Sequence, residues 1–325
     1  MTDRHEATTM TDRHDATTMT EVIDAHAHVF ERAAVSPRGV DALVPADRTA
    51  TIEAFTERLE RIGARRAVLV PLDRHDDYVA ACVAAEPDRF RAVAVAGDAE
   101  LGRTDRDPLD ALRERLERMP AAAVRTQWLG EPGADLAQSP AMPMLRELAD
   151  RGLVLWSYLP PAQAPLLEPL VRLLPTLRIV LNHFGFTPNG MRVDDAGRPW
   201  FAEGITAEAE ARVLRLAEHE PVHLMVSGHY ALSHEAPPYA DLAAVTGRLL
   251  GAFGTDRAMW GSDFPWIDAD PGYAATFDVV DALHPRLSAT GRADLVGGTV
   301  ARLLDFPATP VPAASEHDQP HDQER

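Results

Sequence analysis

Short apolar runs and longer stretches with three- and four-residue apolar spacing alternate along this chain. The short runs are Val22–His28, Arg66–Val70, Phe90–Ala96, Ala122–Trp128, Leu153–Tyr158, Arg178–His183, Val222–Ser227 and Ala258–Ser262. They are rich in Val, Leu, Ile and Ala with little internal alternation, the pattern of strands buried on both faces. Helical spacing falls between them at Ile52–Arg61, Asp76–Ala85, Leu109–Arg118, Met142–Asp150, Leu166–Leu174, Ala207–His219 and Ala240–Ala252, and after the last at Gly272–Leu283. Strand followed by helix, repeated through the chain, predicts an α/β fold of the (β/α)8 TIM-barrel type. A doubly wound open sheet is the rival, but no glycine-rich phosphate loop follows any strand. The connection Phe184–Thr206 is long for such a fold and is expected to be a lid or rim loop.

Composition sets the limits. The domain is expected over 21–306, between disordered tails at 1–20 and 307–325. The first tail contains the direct repeat MTDRHEATT–MTDRHDATT and lacks the apolar core of a secretory signal; Met1 and Met19 are both candidate starts. Hydrophobic content of 46% and charge of 25% suit a soluble globular protein, and no apolar run is long enough for a membrane span. One cysteine, Cys82, excludes an internal disulfide and a cysteine zinc cluster, consistent with a cytoplasmic setting. A net charge of −18 argues against nucleic acid and anionic membrane as partners. All 32 basic residues are arginine, which removes Schiff-base chemistry, a lysine base and a carboxylated-lysine metal bridge. A small-molecule substrate is expected; the subunit count stays open, a homo-oligomer included.

Candidate chemistry collects where a TIM barrel keeps it, at the C-terminal ends of the strands. The first strand ends in His26 and His28, two apart and so on one face. Arg74 follows the second, Arg125 and Trp128 lie on the fourth, and Trp156 and Tyr158 on the fifth. The sixth ends in Asn182-His183, the seventh leads into His229, and the eighth into Asp263 and Trp266. Arg125 suits a substrate carboxylate bidentately, with an internal ion pair as the structural alternative. Arg74 is as well explained by solvation beside Asp73 and Asp77. Trp128, Tyr158 and Trp266 can stack on a flat ring or simply fill the rim. His223 stands at the opposite end of its strand and reads as structural.

Five stretches resemble the amidohydrolase superfamily: DAHAHVF from Asp24, AVRTQ from Ala123, IVLNHFG from Ile179, VSGHYALS from Val226 and MWGSDFPW from Met259. The likeness is strongest to the amidohydrolase-related branch that includes 2-pyrone-4,6-dicarboxylate lactonase and sugar lactonases. It implies that His26, His28, His183 and Asp263 are the catalytic group, able to ligate one divalent metal, zinc by preference. Two positions depart from the fuller superfamily pattern. Arg125 replaces a bridging residue, and Trp156 and Tyr158 stand where many members carry a metal-binding histidine. The pyrone-lactonase branch shares that second departure and is expected to act without a tightly held metal, so both versions stay open.

The expected activity is hydrolysis of a small lactone, with or without a carboxylate, by water activated at Asp263. Arg125, Tyr158, Arg74, Trp128, His229 and Trp266 are the candidate substrate-binding residues. The alternatives are a metal-dependent non-oxidative decarboxylase of a small carboxylic acid and a catalytically idle ligand-binding barrel.

Overall fold

The eight apolar runs become eight parallel strands in the computed structural model, which describes residues 21–186 and 189–307. The expectations for 1–20 and 308–325 lie outside the described residues. The strands are β1 (Ile23–Ala27), β2 (Arg66–Leu69), β3 (Phe90–Val95), β4 (Ala123–Thr126), β5 (Val154–Ser157), β6 (Arg178–Leu181), β9 (Val222–Val226) and β10 (Ala258–Trp260). They neighbour one another in chain order. The barrel closes between its ends: Ala27 bridges Phe264 in parallel, His28 N donates to Phe264 O at 2.7 Å, and Asp263 N donates to His26 O at 2.9 Å. The (β/α)8 barrel expected from the sequence is the fold.

Two apolar populations explain why the strands read as continuously hydrophobic. Ile23, Val68, Val93, Trp156, Val180, Met225 and Met259 fill the bore, which Leu303, Leu304 and Phe306 extend. Alternate positions, such as Leu69, Val124, Leu155, Leu181 and Leu224, pack outward under the helices. The helices are α1 (Ile52–Arg61), α2 (Asp77–Ala85), α3 (Pro108–Arg118), α4 (Met142–Asp150), α5 (Leu167–Leu173), α6 (Ala207–Leu216), α8 (Ala243–Phe253) and α9 (Tyr273–Leu283). Thr51, Asp107 and Thr206 cap α1, α3 and α6 by accepting backbone N–H groups.

Several elements were not expected. The long connection carries a hairpin, β7 (Met191–Val193) and β8 (Pro199–Phe201). A single turn, α7 (His229–Leu232), follows β9, and α10 (Ala289–Ala293) leads through a π turn into α11 (Thr299–Leu303). Every strand ends one or two residues sooner than expected, β4, β6 and β10 by two. Thr126 Oγ1 bonds both the carbonyl and the N–H of Trp128, which turns the chain away from β4. Beyond β6, His183 and Phe184 adopt φ of 47° and 59°, outside strand geometry.

Candidate active site

A β-bulge decides which side chains of β1 reach the site. Asp24 pairs with Ala67 and Ala27 with Leu69, so two residues of β1 oppose one of β2. Regular alternation would group Asp24 with His26 and His28; the bulge sends it to the helix side instead. There Asp24 Oδ1 accepts from His26 N at 3.1 Å and Ser262 N at 2.9 Å, and Oδ2 accepts from Tyr273 Oη at 2.7 Å. Asp24 thereby ties β1 to the turn after β10. Burial pushes its carboxyl up to about 6.

His26, His28, His183 and Asp263 converge. Asp263 Oδ1 lies 3.6 Å from His26 Nε2 and 3.5 Å from His28 Nε2, and Oδ2 lies 3.9 Å from His183 Nε2. All four side chains are buried. Asp263 and His183 both take left-handed backbone angles, φ 62° and 47°, a conformation disfavoured for side-chain-bearing residues and concentrated at functional sites. Glycine makes room twice. A Cβ on Gly228 would stand 2.9 Å from His183 Nδ1, and one on Gly261 would stand 2.8 Å from His26 Cβ.

Hydrogen bonds fix where the protons sit. Trp156 Nε1, which can only donate, points at His26 Nδ1 at 3.2 Å. His26 therefore keeps its proton on Nε2, from which it reaches His28 Nε2 at 3.2 Å. His28 Nδ1 donates to Val70 O at 2.7 Å, so its Nε2 lone pair is the acceptor for the His26 Nε2–H. Ser227 Oγ lies 2.8 Å from His183 Nδ1. With the hydroxyl as donor, the His183 proton sits on Nε2 and faces the Asp263 carboxylate. Burial, with neighbouring charges, pulls His26 well below the usual histidine range, and burial lowers His183 as well. Burial raises the Asp263 carboxyl, but the imidazoles of His183, His28 and His26 more than reverse this and hold it below the usual carboxylate range. At neutral pH Asp263 is a carboxylate, with His26 and His183 neutral beside it.

His26, His183 and Asp263 offer ligand atoms within 4.8 Å of one another, a donor set that suits a divalent ion. His26 can join it through Nε2 only by moving its proton to Nδ1. That would set two N–H groups against each other at Trp156.

A cavity of about 410 Å³ opens above this group, lined in part by His28, Arg125, Tyr158, His183, Asp263 and Trp266. Arg125 is buried, its guanidinium 4.8 Å from the Tyr158 ring centroid. Three of the candidate substrate-binding residues do not line the cavity. Arg74 is solvent-exposed in its loop. Trp128 turns away and carries Arg103 over its ring at 5.0 Å. His229 is buried behind the site, 4.9 Å from the Phe184 ring and 6.0 Å from that of Tyr239. His223, as expected, lies at the far end of β9, its Nδ1 3.1 Å from Pro221 O.

Sequence reading missed Tyr230. The positive φ of Gly228 starts α7 and swings the next residues around, so Tyr230 lines the cavity and donates to Asp263 Oδ2 at 2.7 Å. It also missed the segment Gly39–Val44, which forms part of the cavity wall together with Met191, Pro199 and Phe201 of the hairpin.

Comparison with known proteins agrees with this fold. A family model described as Amidohydrolase matches residues 23–306. L-fucono-1,5-lactonase of Burkholderia ambifaria is 28% identical over 261 residues, covering 75% of this chain and 80% of that protein. A probable 2-pyrone-4,6-dicarboxylic acid hydrolase of Acinetobacter baumannii, solved with citric acid bound, shares the fold with a TM-score of 0.67 at 21% identity; the match covers 88% of this chain and 100% of that one. An amidohydrolase of Burkholderia multivorans, solved with bound zinc, matches with a TM-score of 0.66 at 23% identity and the same two coverages.

Proposed function

The chain belongs to the amidohydrolase family of enzymes, and from that premise we propose that it hydrolyses the ring ester of a small lactone. One observation carries the reading: an ionised Asp263, ringed by the Nε2 atoms of His26, His28 and His183, stands at the base of a cavity. A water placed there gives a hydrogen to Asp263, with its oxygen lone pair turned toward the substrate.

In the first step the water oxygen bonds to the lactone carbonyl carbon while its proton passes to Asp263. A positioned base of this kind contributes about 10²–10⁴-fold. The carbonyl oxygen becomes an oxyanion, and the His183 Nε2–H is the donor that faces it. Tyr158, which burial pushes up to about 12, stays protonated and donates beside Arg125. In the second step the intermediate collapses and the ring carbon–oxygen bond breaks. The departing oxygen takes the proton from Asp263, and the product is a hydroxy acid. His26 takes no proton; it supplies the Nε2–H between His28 and Asp263.

Zinc is the ion that His26, His183 and Asp263 would suit, and bound there it would lower the pKa of a coordinated water to about 7. The steps above need only the chain's own groups. The single cysteine is free and buried, which supports a reducing, cytoplasmic setting. No helix among the described residues is long and apolar enough to cross a membrane.

The test is acid release from a lactone panel in ¹⁸O-labelled water. Label in the product carboxylate supports attack at the carbonyl. Label in the hydroxyl, or carbon dioxide release from carboxylated substrates without ring opening, refutes it.

A further inference from the structure

We propose that the substrate is a lactone bearing a single carboxylate and an apolar alkyl or aryl arm. The inference rests on the lactonase reading and deepens it, and it sets this site apart from one built for a polyhydroxylated sugar lactone or a dicarboxylate.

The cavity has two chemically distinct ends. The buried end holds the catalytic group and Arg125, the one cation among the residues that line it. No carboxylate of the described residues ion-pairs with Arg125; Asp263 and Tyr158 act on it only across a distance, and burial lowers its pKa. A buried guanidinium without a counter-ion is costly, and a substrate anion relieves it. One such anion is accommodated. The other charged side chains at the wall besides the catalytic group are Asp41 and Asp73, both acidic, and they repel a second carboxylate.

The remaining wall is apolar: Val40, Leu43, Leu72, Met191, Phe201 and Trp266. Val40 and Met191 are 55% and 44% exposed, two of the four large exposed hydrophobics among the described residues. Both stand at the mouth of the site, where a bound apolar arm would cover them. Partners for sugar hydroxyls are scarce. Asp73 already accepts from Gly39 N and His75, and Asp41 from Val44 N. Outside the catalytic group that leaves the Gln127 amide, the Tyr158 hydroxyl beside Arg125 and the second carboxylate oxygen of Asp41. Buried hydroxyls without partners lose their water at a net cost, so the wall selects against them. The wall is also tied in place: Arg48 joins the two covering segments by donating to Leu43 O at 2.8 Å and Gly197 O at 2.6 Å.

The experiment is a homologous series of 2-alkyl-5-oxotetrahydrofuran-3-carboxylates, methyl to hexyl, in which ring reactivity is nearly constant. L-Fucono-1,5-lactone and 2-pyrone-4,6-dicarboxylate are the comparison substrates. Expected is a rise in kcat/KM approaching about fourfold per methylene until the wall is filled, with both comparison substrates at least 100-fold poorer than the best alkyl lactone. Val40→Asn and Met191→Asn should flatten the chain-length slope. A flat slope, or a sugar lactone or dicarboxylate that matches the alkyl series, overturns the proposal. If no lactone is hydrolysed, the lactonase reading fails, and the arm is judged by calorimetric binding of a homologous series of alkyl monocarboxylates. Affinity that climbs with chain length then supports the apolar site, and affinity that ignores it overturns it.

Discussion

Trp156 donates its indole N–H to His26 Nδ1 across 3.2 Å, with the two rings within 12° of coplanar. Trp156 is one of the two strand-five residues that stand, by the resemblance, where many amidohydrolases carry a metal-binding histidine, and its N–H holds the His26 proton on Nε2. The wild-type protein is therefore expected to keep its activity after exhaustive chelation. Trp156→Phe removes one hydrogen bond and lets the His26 proton move, so zinc affinity should rise about tenfold, read by calorimetry against a competing chelator. Chelation that abolishes activity until zinc is restored, or unchanged zinc affinity in the variant, would contradict this.

Arg125→Ala should raise KM for carboxylated lactones about 10- to 100-fold, the scale of a lost charge-assisted contact. Lactones without a carboxylate should show a much smaller change, and Arg125→Lys should recover part of the loss. Equal effects on both substrate types would return Arg125 to a structural role.

Tyr230 is a positioning residue for the base. Burial and the neighbouring Asp263 charge push its phenol well above the ordinary tyrosine value, so it stays a donor to Oδ2. Tyr230→Phe withdraws a hydrogen bond from the ionised carboxylate, and the Asp263 pKa must rise. The acid limb of kcat/KM should shift to higher pH and kcat should fall about tenfold. In the wild type that limb should lie below the ordinary carboxylate value of 3.8, because the neighbouring imidazoles hold the Asp263 carboxyl down. An unmoved limb in the variant would separate Tyr230 from the base.

Most of the fold was legible because parallel strands buried on both faces leave continuous apolar runs, and their order fixed the barrel. The strand ends were not, since Thr126 and His183 leave strand geometry through a side-chain turn and left-handed backbone angles that no local pattern announces. His28, His183, Asp263, Arg125, Tyr158 and Trp266 all line one cavity, as strand-end position suggested, and His26 lies against His28 and Asp263 without lining it. Arg74, Trp128 and His229 share that sequence position yet face elsewhere. Tyr230 escaped notice because a single helical turn after Gly228 decides where it points. The segment Gly39–Val44 escaped because loop paths depend on tertiary contacts, here five backbone carbonyls held by Arg38.

Asp24 carries a stability signature. Its folded value of about 6 lies above the ordinary 3.8, so the folded state holds this proton more tightly than the unfolded chain. The contribution is complete below pH 3.8 and is lost as pH rises through 6, about 3 kcal/mol by linkage. Asp24→Asn cannot titrate, so its Tm relative to wild type should climb between pH 4 and 6.5. Parallel Tm curves over that window would exclude Asp24 as the source.

The central claim is that Asp263 removes the proton from the attacking water. Its direct measure is kcat of Asp263→Asn on a hydrolysed lactone, with circular dichroism and Tm as controls for folding. The account predicts a loss of at least about 100-fold in a folded protein, the scale of a missing general base. A folded variant that turns over within a few-fold of wild type would contradict it.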